Sequence, residues 1–294
     1  MTIATLLQPF RPLRIMDVGA MPEGKPRYAP LLESGGATVD AFEPDPRSLA
    51  RLREQAPEGY RYHGVFLGDG DDHDFHITRY PGCSSLFAPD PTIIDAFMTI
   101  GTGTETGNFG LVRKERVATT RLDDVPGLAP PDLMKLDVQG AELLVLQHGK
   151  RTLASAAVVE IEVEFLPLYR GQPLFDEVFT FMREQGFVLH KLIDVAGRTL
   201  RPIVGPNRFL PLSQVLWSDA VFVRSYFDLE GWSLDTLTAA AIVLGDVYRS
   251  FDVVFRLVTE LDRREGSARI VRLAAELKSA GDLNRLYFNE RDTP

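Results

Sequence analysis

Three acidic motifs follow short apolar segments of the chain and are the residues best placed to do chemistry. They are Met16-Asp17-Val18-Gly19-Ala20, Phe42-Glu43-Pro44-Asp45-Pro46 and Lys135-Leu136-Asp137-Val138-Gln139-Gly140-Ala141-Glu142. In open parallel sheets, ligands bind outside the carboxyl ends of the strands. If each apolar segment is a strand, the acidic residues meet at one edge of a sheet and predict a ligand site there.

The first two motifs indicate a nucleoside with a positive charge. An acidic residue such as Asp17 suits a cationic ligand better than a pyrophosphate, and the dinucleotide pattern G-x-G-x-x-G is absent, since only Gly19 and then Gly24 follow. Glu43 can accept hydrogen bonds from both hydroxyls of a ribose, while Asp45 before Pro46 is typical of a helix N-cap. A tight turn without a ligand is the alternative interpretation of Gly19.

The third motif places Asp137 at the mouth of the predicted sheet, beside a bound nucleotide, where acceptor chemistry would occur. The structural alternative for Asp137 is a cap, and for Glu142 it is compensation of a helix dipole in the first helical turn.

A fourth acidic motif has three glutamates on one face of a predicted strand, Ala157 to Phe165. Glu160, Glu162 and Glu164 alternate along it. Carboxylates this close repel one another unless they are exposed, paired or bound to a cation. A solvated edge strand is one interpretation, but the apolar flanks favour a central strand. Glu162 and Glu164, nearest the carboxyl end, are the stronger candidates for a site role.

The elements that must position these residues alternate between strands and helices. This order predicts an α/β fold with a Rossmann-like, mostly parallel sheet and helices on both faces. The segments Phe187 to Ile193 and Ala220 to Arg224 are expected to pair antiparallel at one end of it. After about Tyr226 the pattern is helical only, over 233–261 and 268–286.

Composition excludes several classes of function. The chain has 294 residues and a formal net charge of −9, so it offers no basic stripe for a nucleic-acid backbone. One cysteine, Cys83, allows no intramolecular disulfide. We expect no signal peptide, no membrane span and a cytoplasmic, soluble protein.

Taken together, the four motifs resemble those of the FkbM family of methyltransferases. The resemblance runs from about Arg14 to Tyr226 and includes the segments SSLF at 84–87 and TTRLDDV at 119–125. Its most specific part is D-V-x-G-x-E at Asp137, Gly140 and Glu142. Membership implies a class I methyltransferase fold, S-adenosylmethionine as the donor, and O-methylation of a sugar, a polyketide or a related acceptor.

The resemblance also implies roles for individual residues. Asp17, Gly19 and Ala20 would line the methionine part of the cofactor, Glu43 with Pro44 would hold its ribose, and Asp69 would contact its adenine. The next glycine comes late, at residue 24, between prolines 22 and 26, so the first turn is expected to be reshaped.

Two routes could remove the proton of a hydroxyl acceptor. A carboxylate could act as general base, or Mg²⁺ could lower the pKa of the hydroxyl. Asp137, Glu162 and Glu164 are the catalytic candidates in the first case and the metal ligands in the second. We favour the base, because no dense cluster of Asp and Asn indicates an octahedral site.

Two other functions remain open at this point. One is a nicotinamide-dependent oxidoreductase, disfavoured by the missing third glycine and by the absence of a Tyr-x-x-x-Lys proton relay. The other is a non-catalytic interaction module of the same fold. N-methylation is disfavoured because no Asn/Asp-Pro-Pro-Tyr/Phe motif follows the strand at Asp137.

The sequence predicts a methyltransferase domain over 1–226 and a C-terminal helical extension over 227–294. Apolar residues from Leu237 to Leu261 occupy more than one helix face, so the segment should be covered on two sides. The cover on the second side is either the helix at 268–286 or a second subunit. We expect a homodimer through these helices, close to the mouth of the site.

Overall fold

The computed structural model describes residues 2–20, 24–103 and 107–279. The reshaped first turn at 21–23, the centre of the Gly-rich loop 101–110 and the end of the helix expected over 268–286 lie outside the described residues. The helices α1 to α10 are, in order, Ile3–Leu6, Ala29–Glu33, Pro46–Glu54, Pro91–Ile94, Glu142–Gln147, Lys150–Leu153, Phe175–Glu184, Leu234–Ile242, Phe251–Glu265 and Arg269–Ser279.

The described residues form ten strands in two sheets. The strands β1 to β10 are, in order, Leu13–Val18, Ala37–Phe42, Tyr60–His63, Phe66–Leu67, Asp72–Thr78, Leu111–Thr120, Leu133–Leu136, Val158–Glu164, Phe187–Gly197 and Val215–Arg224.

The large sheet has seven strands in the order β3-β2-β1-β7-β8-β10-β9. The pairs β2-β3, β1-β2, β1-β7 and β7-β8 are parallel, while β10 runs antiparallel to both β8 and β9. This confirms the α/β class, the mostly parallel Rossmann-like sheet and the antiparallel pair at one end. It also confirms that the strand with three glutamates, β8, is internal rather than an edge strand.

Most residues of the three central strands, β1, β7 and β8, are buried because both faces of a parallel sheet are covered. Met16, Met134, Val159 and Ile161 are fully or almost fully buried in the main core. Side chains of α5 and α7 belong to the same core. The polar residues of these strands therefore stand out against an apolar background.

The small sheet has the order β4-β6-β5. Its longest strand, β6, begins at Leu111, and its side chains are mostly exposed. Gly64 lies between β3 of the large sheet and β4 of the small one, and an added Cβ there would lie 2.5 Å from the Leu49 side chain. The chain therefore leaves the large sheet after His63 and enters the small one at Phe66.

The described chain divides into two compact units. One unit comprises Leu13–Lys25 and Ala37–Ser225 and contains both sheets, and the other comprises Met1–Pro12, Pro26–Gly36 and the chain from Tyr226 onwards. The domain boundary predicted at Tyr226 stays a prediction.

The helical unit does not contain one helix over 233–261. The helix α8 ends at Ile242, a π-helical segment spans Val243–Val247, and Arg249 has a positive φ of 50° before α9 begins. Within this unit α9 packs against α8 and against α10, so both of its apolar sides have a partner. Homodimerisation stays a prediction. No helix among the described residues is long and apolar enough to cross a membrane.

Candidate active site

The turn after β1 is fixed by its neighbours on both sides. Gly19 has a φ of +90°, and the N–H groups of Gly19 and Ala20 both donate to the carbonyl oxygen of Phe42 at the end of β2. A Cβ on Gly19 would lie 1.9 Å from the carbonyl oxygen of Asp137 after β7. Only glycine allows this close approach. The ends of β1, β2 and β7 therefore converge, as the sequence predicted.

Glu43 is a buried carboxylate at the end of β2. Its side chain is only 6% exposed, and one oxygen accepts the Asp45 N–H at 2.7 Å. Burial raises the pKa of Glu43 to about 7; that hydrogen bond acts in the opposite direction, and the Asp45 charge adds a smaller increase. Asp45 itself caps α3 by accepting the Ser48 N–H at 2.8 Å, which confirms its expected role.

Lys135 on β7 is a buried cation among carboxylates. Its Nζ lies 3.9 Å from Asp17 and 3.6 Å from Asp137. Burial lowers the pKa of Lys135, but the charges of Asp17, Asp137, Glu160 and Asp219 outweigh burial and raise it. Lys135 therefore stays protonated and compensates part of the negative charge at this edge of the sheet.

Gln139 connects two of the predicted catalytic carboxylates. Its side-chain nitrogen donates to Asp137 at 2.9 Å and to Glu162 at 2.8 Å. Its backbone has a positive φ of 57°, which is uncommon for a residue other than glycine. Its side-chain oxygen lies 3.0 Å from the hydroxyl of Tyr169, and its carbonyl oxygen accepts the Ser85 hydroxyl at 2.6 Å. The two carboxylates are therefore held in one hydrogen-bonded network.

The glutamates around this network favour the protonated form. Burial, followed by the charges of Asp137, Glu164 and Glu142, raises the pKa of Glu162 well above its ordinary value. Burial, followed by Glu142 and Asp137, does the same for the pKa of Glu164, while the Gln172 amide lowers it.

Glu142 has a structural role that the sequence left open. Its carboxylate accepts the Val138 N–H at 2.7 Å and the Gly140 N–H at 3.2 Å, so it fixes the loop between β7 and α5. Burial raises the pKa of Glu142 to about 7 although these hydrogen bonds act in the opposite direction. Its effect on the site is to hold the loop that carries Gln139.

Asp69 is engaged in a local network. Its carboxylate accepts the Asp71 N–H at 2.9 Å and is bonded to His73 at 2.8 Å, and these contacts lower the pKa of Asp69 to about 2 although partial burial acts against them. No hydrogen bond or ion pair joins it to Glu43 among the described residues. Its adenine contact stays a prediction.

The carboxylates are not arranged as metal ligands. Within residues 2–20, 24–103 and 107–279, no group of three or more His, Cys, Asp and Glu side chains has a geometry that could hold a metal ion. Asp137 and Glu162 share the Gln139 amide instead. Mg²⁺ therefore finds no support in the placement of Asp137, Glu162 and Glu164.

The sequence did not identify Lys135, Gln139 or Tyr169 as part of the site. A signal for Lys135 was available, since a lysine inside an apolar strand demands acidic partners on the neighbouring strands. No such signal exists for Gln139 and Tyr169, because their hydrogen bond depends on how the loop after β8 folds.

The buried glutamates should destabilise the fold at high pH. A carboxyl group whose pKa is raised in the folded state contributes stability below its unfolded pKa and loses it as the pH rises through the folded value. We therefore expect Glu164→Gln to increase the free energy of unfolding at pH 8, with a gain that shrinks toward pH 5.

Urea denaturation at the two pH values measures this effect, and the exposed Glu54→Gln change on α3 is the control. A gain for Glu164→Gln that is equal at pH 8 and pH 5 would contradict a protonated Glu164.

Comparison with known proteins identifies the family. The model of the methyltransferase FkbM domain matches residues 17–189. The chain is 31% identical over 179 residues to the 2-O-methyltransferase NoeI of Sinorhizobium fredii, an alignment that covers 58% of this chain and 70% of that protein.

Two solved structures show more distant likenesses. One is precorrin-6y C5,15-methyltransferase from Geobacter metallireducens GS-15, with 13% identity, a TM-score of 0.37, and coverage of 75% of this chain and 86% of the other. The other is magnesium protoporphyrin IX methyltransferase from Synechocystis PCC 6803 with bound SAM, with 13% identity, a TM-score of 0.33 and coverage of 76% of each chain. A likeness this distant assigns no function. The match to the family model and the identity to NoeI show that the chain belongs to the FkbM family of methyltransferases.

Proposed function

We propose that this methyltransferase uses S-adenosylmethionine to methylate a hydroxyl group of a sugar, a polyketide or a related acceptor. The observation that carries the proposal is the Asp137-Gln139-Glu162 network, which places a carboxylate pair beside the convergent ends of β1 and β7. A hydroxyl acceptor must lose a proton, and a carboxylate at this edge can take it. The name of the relative, 2-O-methyltransferase, supports oxygen as the methylated atom.

The residues at the ends of β1 and β2 fit the cofactor. Bound S-adenosylmethionine supplies a methyl group on a positively charged sulfur. Asp17 provides negative charge, and Glu43 with Pro44 would bind the ribose. One Glu43 oxygen accepts the Asp45 N–H, whereas no described residue donates to the other, which leaves an acceptor for the ribose hydroxyls.

The Gly19 turn would contribute space rather than hydrogen-bond donors. The N–H groups of Gly19 and Ala20 are both directed at the Phe42 carbonyl oxygen and cannot also bind a ligand. The missing side chain of Gly19 lets the turn lie against the Asp137 backbone. The cofactor and the catalytic carboxylate would thus be positioned by the same backbone contact.

Asp137 is the residue we assign as general base, with Glu162 as its protonated partner. The raised pKa of Glu162, caused first by burial and then by the charge of Asp137, favours its protonated form. The Gln139 amide holds both groups, so Asp137 is oriented before the acceptor binds. Glu164 lies farther along β8, and its raised pKa favours the protonated form, so we do not assign it as the base.

Binding of the cofactor should depend on the ionisation of Glu43. Ribose hydroxyls donate to a carboxylate, so they bind the ionised form, and a free-state pKa of about 7 makes that form scarce at pH 6. We expect the affinity for S-adenosylhomocysteine to fall up to about ten-fold from pH 8 to pH 6. Calorimetric titrations across this range measure the fall.

The Glu43→Gln variant isolates this effect from the other buried carboxyls. It should bind about ten-fold or more weakly at pH 8, through loss of a charge-assisted hydrogen bond, and should lose most of the pH dependence. Glu54→Gln should behave as the wild type. A folded Glu43→Gln protein with wild-type affinity at pH 8 argues against the ribose assignment.

A direct test of the function compares donors and then acceptors. The protein should bind S-adenosylhomocysteine and not NAD, which separates the proposal from a nicotinamide-dependent enzyme of similar fold. Release of S-adenosylhomocysteine in the presence of a panel of sugars and polyketides then reports turnover. Transfer to an amine acceptor only, with none to hydroxyls, refutes O-methylation while leaving the family intact.

A further inference from the structure

The segment that joins β9 to β10, residues 198–214, exposes an unusual amount of apolar surface. Six of its large apolar side chains are between 49% and 65% exposed. Single exposed apolar residues are ordinary on a protein surface, but a concentration of them marks an interaction site. They are Leu200, Ile203, Val204, Phe209, Leu210 and Leu212. We call this segment the apolar loop.

The apolar loop is also cationic within an acidic chain. It contains Arg198, Arg201 and Arg208, and there is no Asp or Glu from Val195 to Ser218, although the whole chain has a net charge of −9. None of the three arginines forms an ion pair with a carboxylate in the part of the chain that the structure describes. The charge of the loop therefore remains available to an anionic partner.

The loop is held in place, so its exposure is part of the fold. Thr199 is buried, and its carbonyl oxygen accepts the Met98 N–H at 2.8 Å. The Arg201 N–H donates to Ala96 at 2.8 Å. The Arg198 guanidinium lies 4.8 Å from the ring centre of Trp217 and donates to two backbone carbonyls. These contacts anchor the base of the loop and leave its apolar tip outside.

We propose that the apolar loop docks on an anionic lipid surface. Arginines near such a surface are attracted to its negative charge, and adjacent aliphatic and aromatic side chains enter the boundary between headgroups and acyl chains. Arg208, whose guanidinium lies 4.9 Å from the ring centre of Phe209, combines both features at the exposed end of the loop.

Two other partners fit the loop less well. A second copy of the chain, bound through the same face, would bring six arginines together with no carboxylate in either loop, and like charges repel. A strand from another protein would need a run of backbone N–H groups, but prolines at 202, 206 and 211 remove donors along the loop. A lipid surface needs neither a carboxylate in the loop nor a regular backbone.

Sedimentation with vesicles tests the proposal on the full chain. Vesicles with about 30 mol% phosphatidylglycerol in phosphatidylcholine should bind the protein at low salt, and pure phosphatidylcholine should bind it at least about ten-fold less, because the arginines are attracted only to an anionic surface. Arg208→Glu should weaken binding at least about ten-fold, and Val204→Ser with Leu212→Ser at least about five-fold.

Matched controls keep the test independent of folding and of net charge. Arg113→Glu changes net charge by the same amount on β6, and Phe227→Ser removes an exposed aromatic side chain outside the loop; both should bind vesicles as the wild type does. Wild-type protein that stays in the supernatant overturns the proposal, and so do loop variants that bind normally. A concentration-dependent dimer that the loop variants abolish, without vesicle binding, identifies a second copy as the partner instead.

Discussion

The Asp137→Asn variant is expected to lower kcat at least about 10²-fold while its affinity for S-adenosylhomocysteine changes less than about two-fold. Removal of a general base costs about 10²- to 10⁴-fold in rate. Asparagine keeps the shape of the side chain and can still accept the hydrogen bond from Gln139, so the loop should remain in place. Initial rates with a saturating donor and calorimetry on the same preparation measure the two quantities.

The Glu162→Gln variant is the informative comparison. Glutamine can donate to Asp137 as a protonated glutamate does, so this change should cost less than about ten-fold in kcat. Full activity of Asp137→Asn eliminates Asp137 as the base. Equal losses in the two variants indicate instead that the pair acts as one unit, with neither residue the sole base.

A chelator separates the base from the metal route without any mutation. If Asp137 acts alone, treatment with EDTA should leave kcat unchanged, since the neighbouring donors have no metal-binding geometry among the described residues. Loss of activity that returns with added Mg²⁺ would contradict the assignment and would mean that the substrate completes a metal site.

Much of the sheet could be predicted from the sequence because its strands have a clear residue pattern. The residue pattern predicts strands over Leu13–Val18 and Ala37–Phe42, which are the observed bounds of β1 and β2, since each is a short apolar run followed by a turn signal. The helical unit was harder. Apolar residues continue without a break from α8 to α9, and nothing in the residue pattern marks the π-helical segment or the positive φ of Arg249. Side-chain type alone does not encode such a local change of helical hydrogen bonding.

The charged residues of the candidate site could be predicted from the sequence, but the hydrogen bonds that join them could not. The carboxylates of β8 were found because three glutamates on one face of a buried strand demand an explanation. Gln139 was missed because its amide is brought to both carboxylates by a backbone with positive φ, a conformation that glutamine seldom adopts. Asp69 was assigned by motif position, whereas its carboxylate is engaged by His73 and the Asp71 backbone.

The buried charges of the site conflict with stability, which is usual where chemistry takes place. Glu162 and Glu164 have no reason to lie in an apolar sheet for packing alone, because burial penalises their ionised forms. Lys135 compensates Asp17 and Asp137 but forms no ion pair with either of these two glutamates among the described residues. This arrangement supports a role in proton chemistry for the carboxylates of β8.

The Gly19→Ala variant should lose at least about 3 kcal/mol of unfolding free energy. A methyl group at this position would lie 1.9 Å from the Asp137 carbonyl oxygen, far inside van der Waals contact, so the ends of β1 and β7 must move apart. The positive φ of +90° adds backbone strain for any residue with a Cβ. Because the turn and Asp137 share this contact, S-adenosylhomocysteine binding and kcat should fall together.

Gly24→Ala supplies the matched control, five residues farther along the same connection. Gly24 also has a positive φ, +74°, but no atom lies within 4 Å of the position where its Cβ would be. The unfolding free energy of Gly24→Ala should therefore fall only by the strain of the left-handed backbone, about 1–2 kcal/mol. Urea denaturation followed by circular dichroism gives both values. If the two variants are equally destabilised, the Gly19 turn can relax away from Asp137, and the close approach of β1 to β7 is not what positions the catalytic carboxylate.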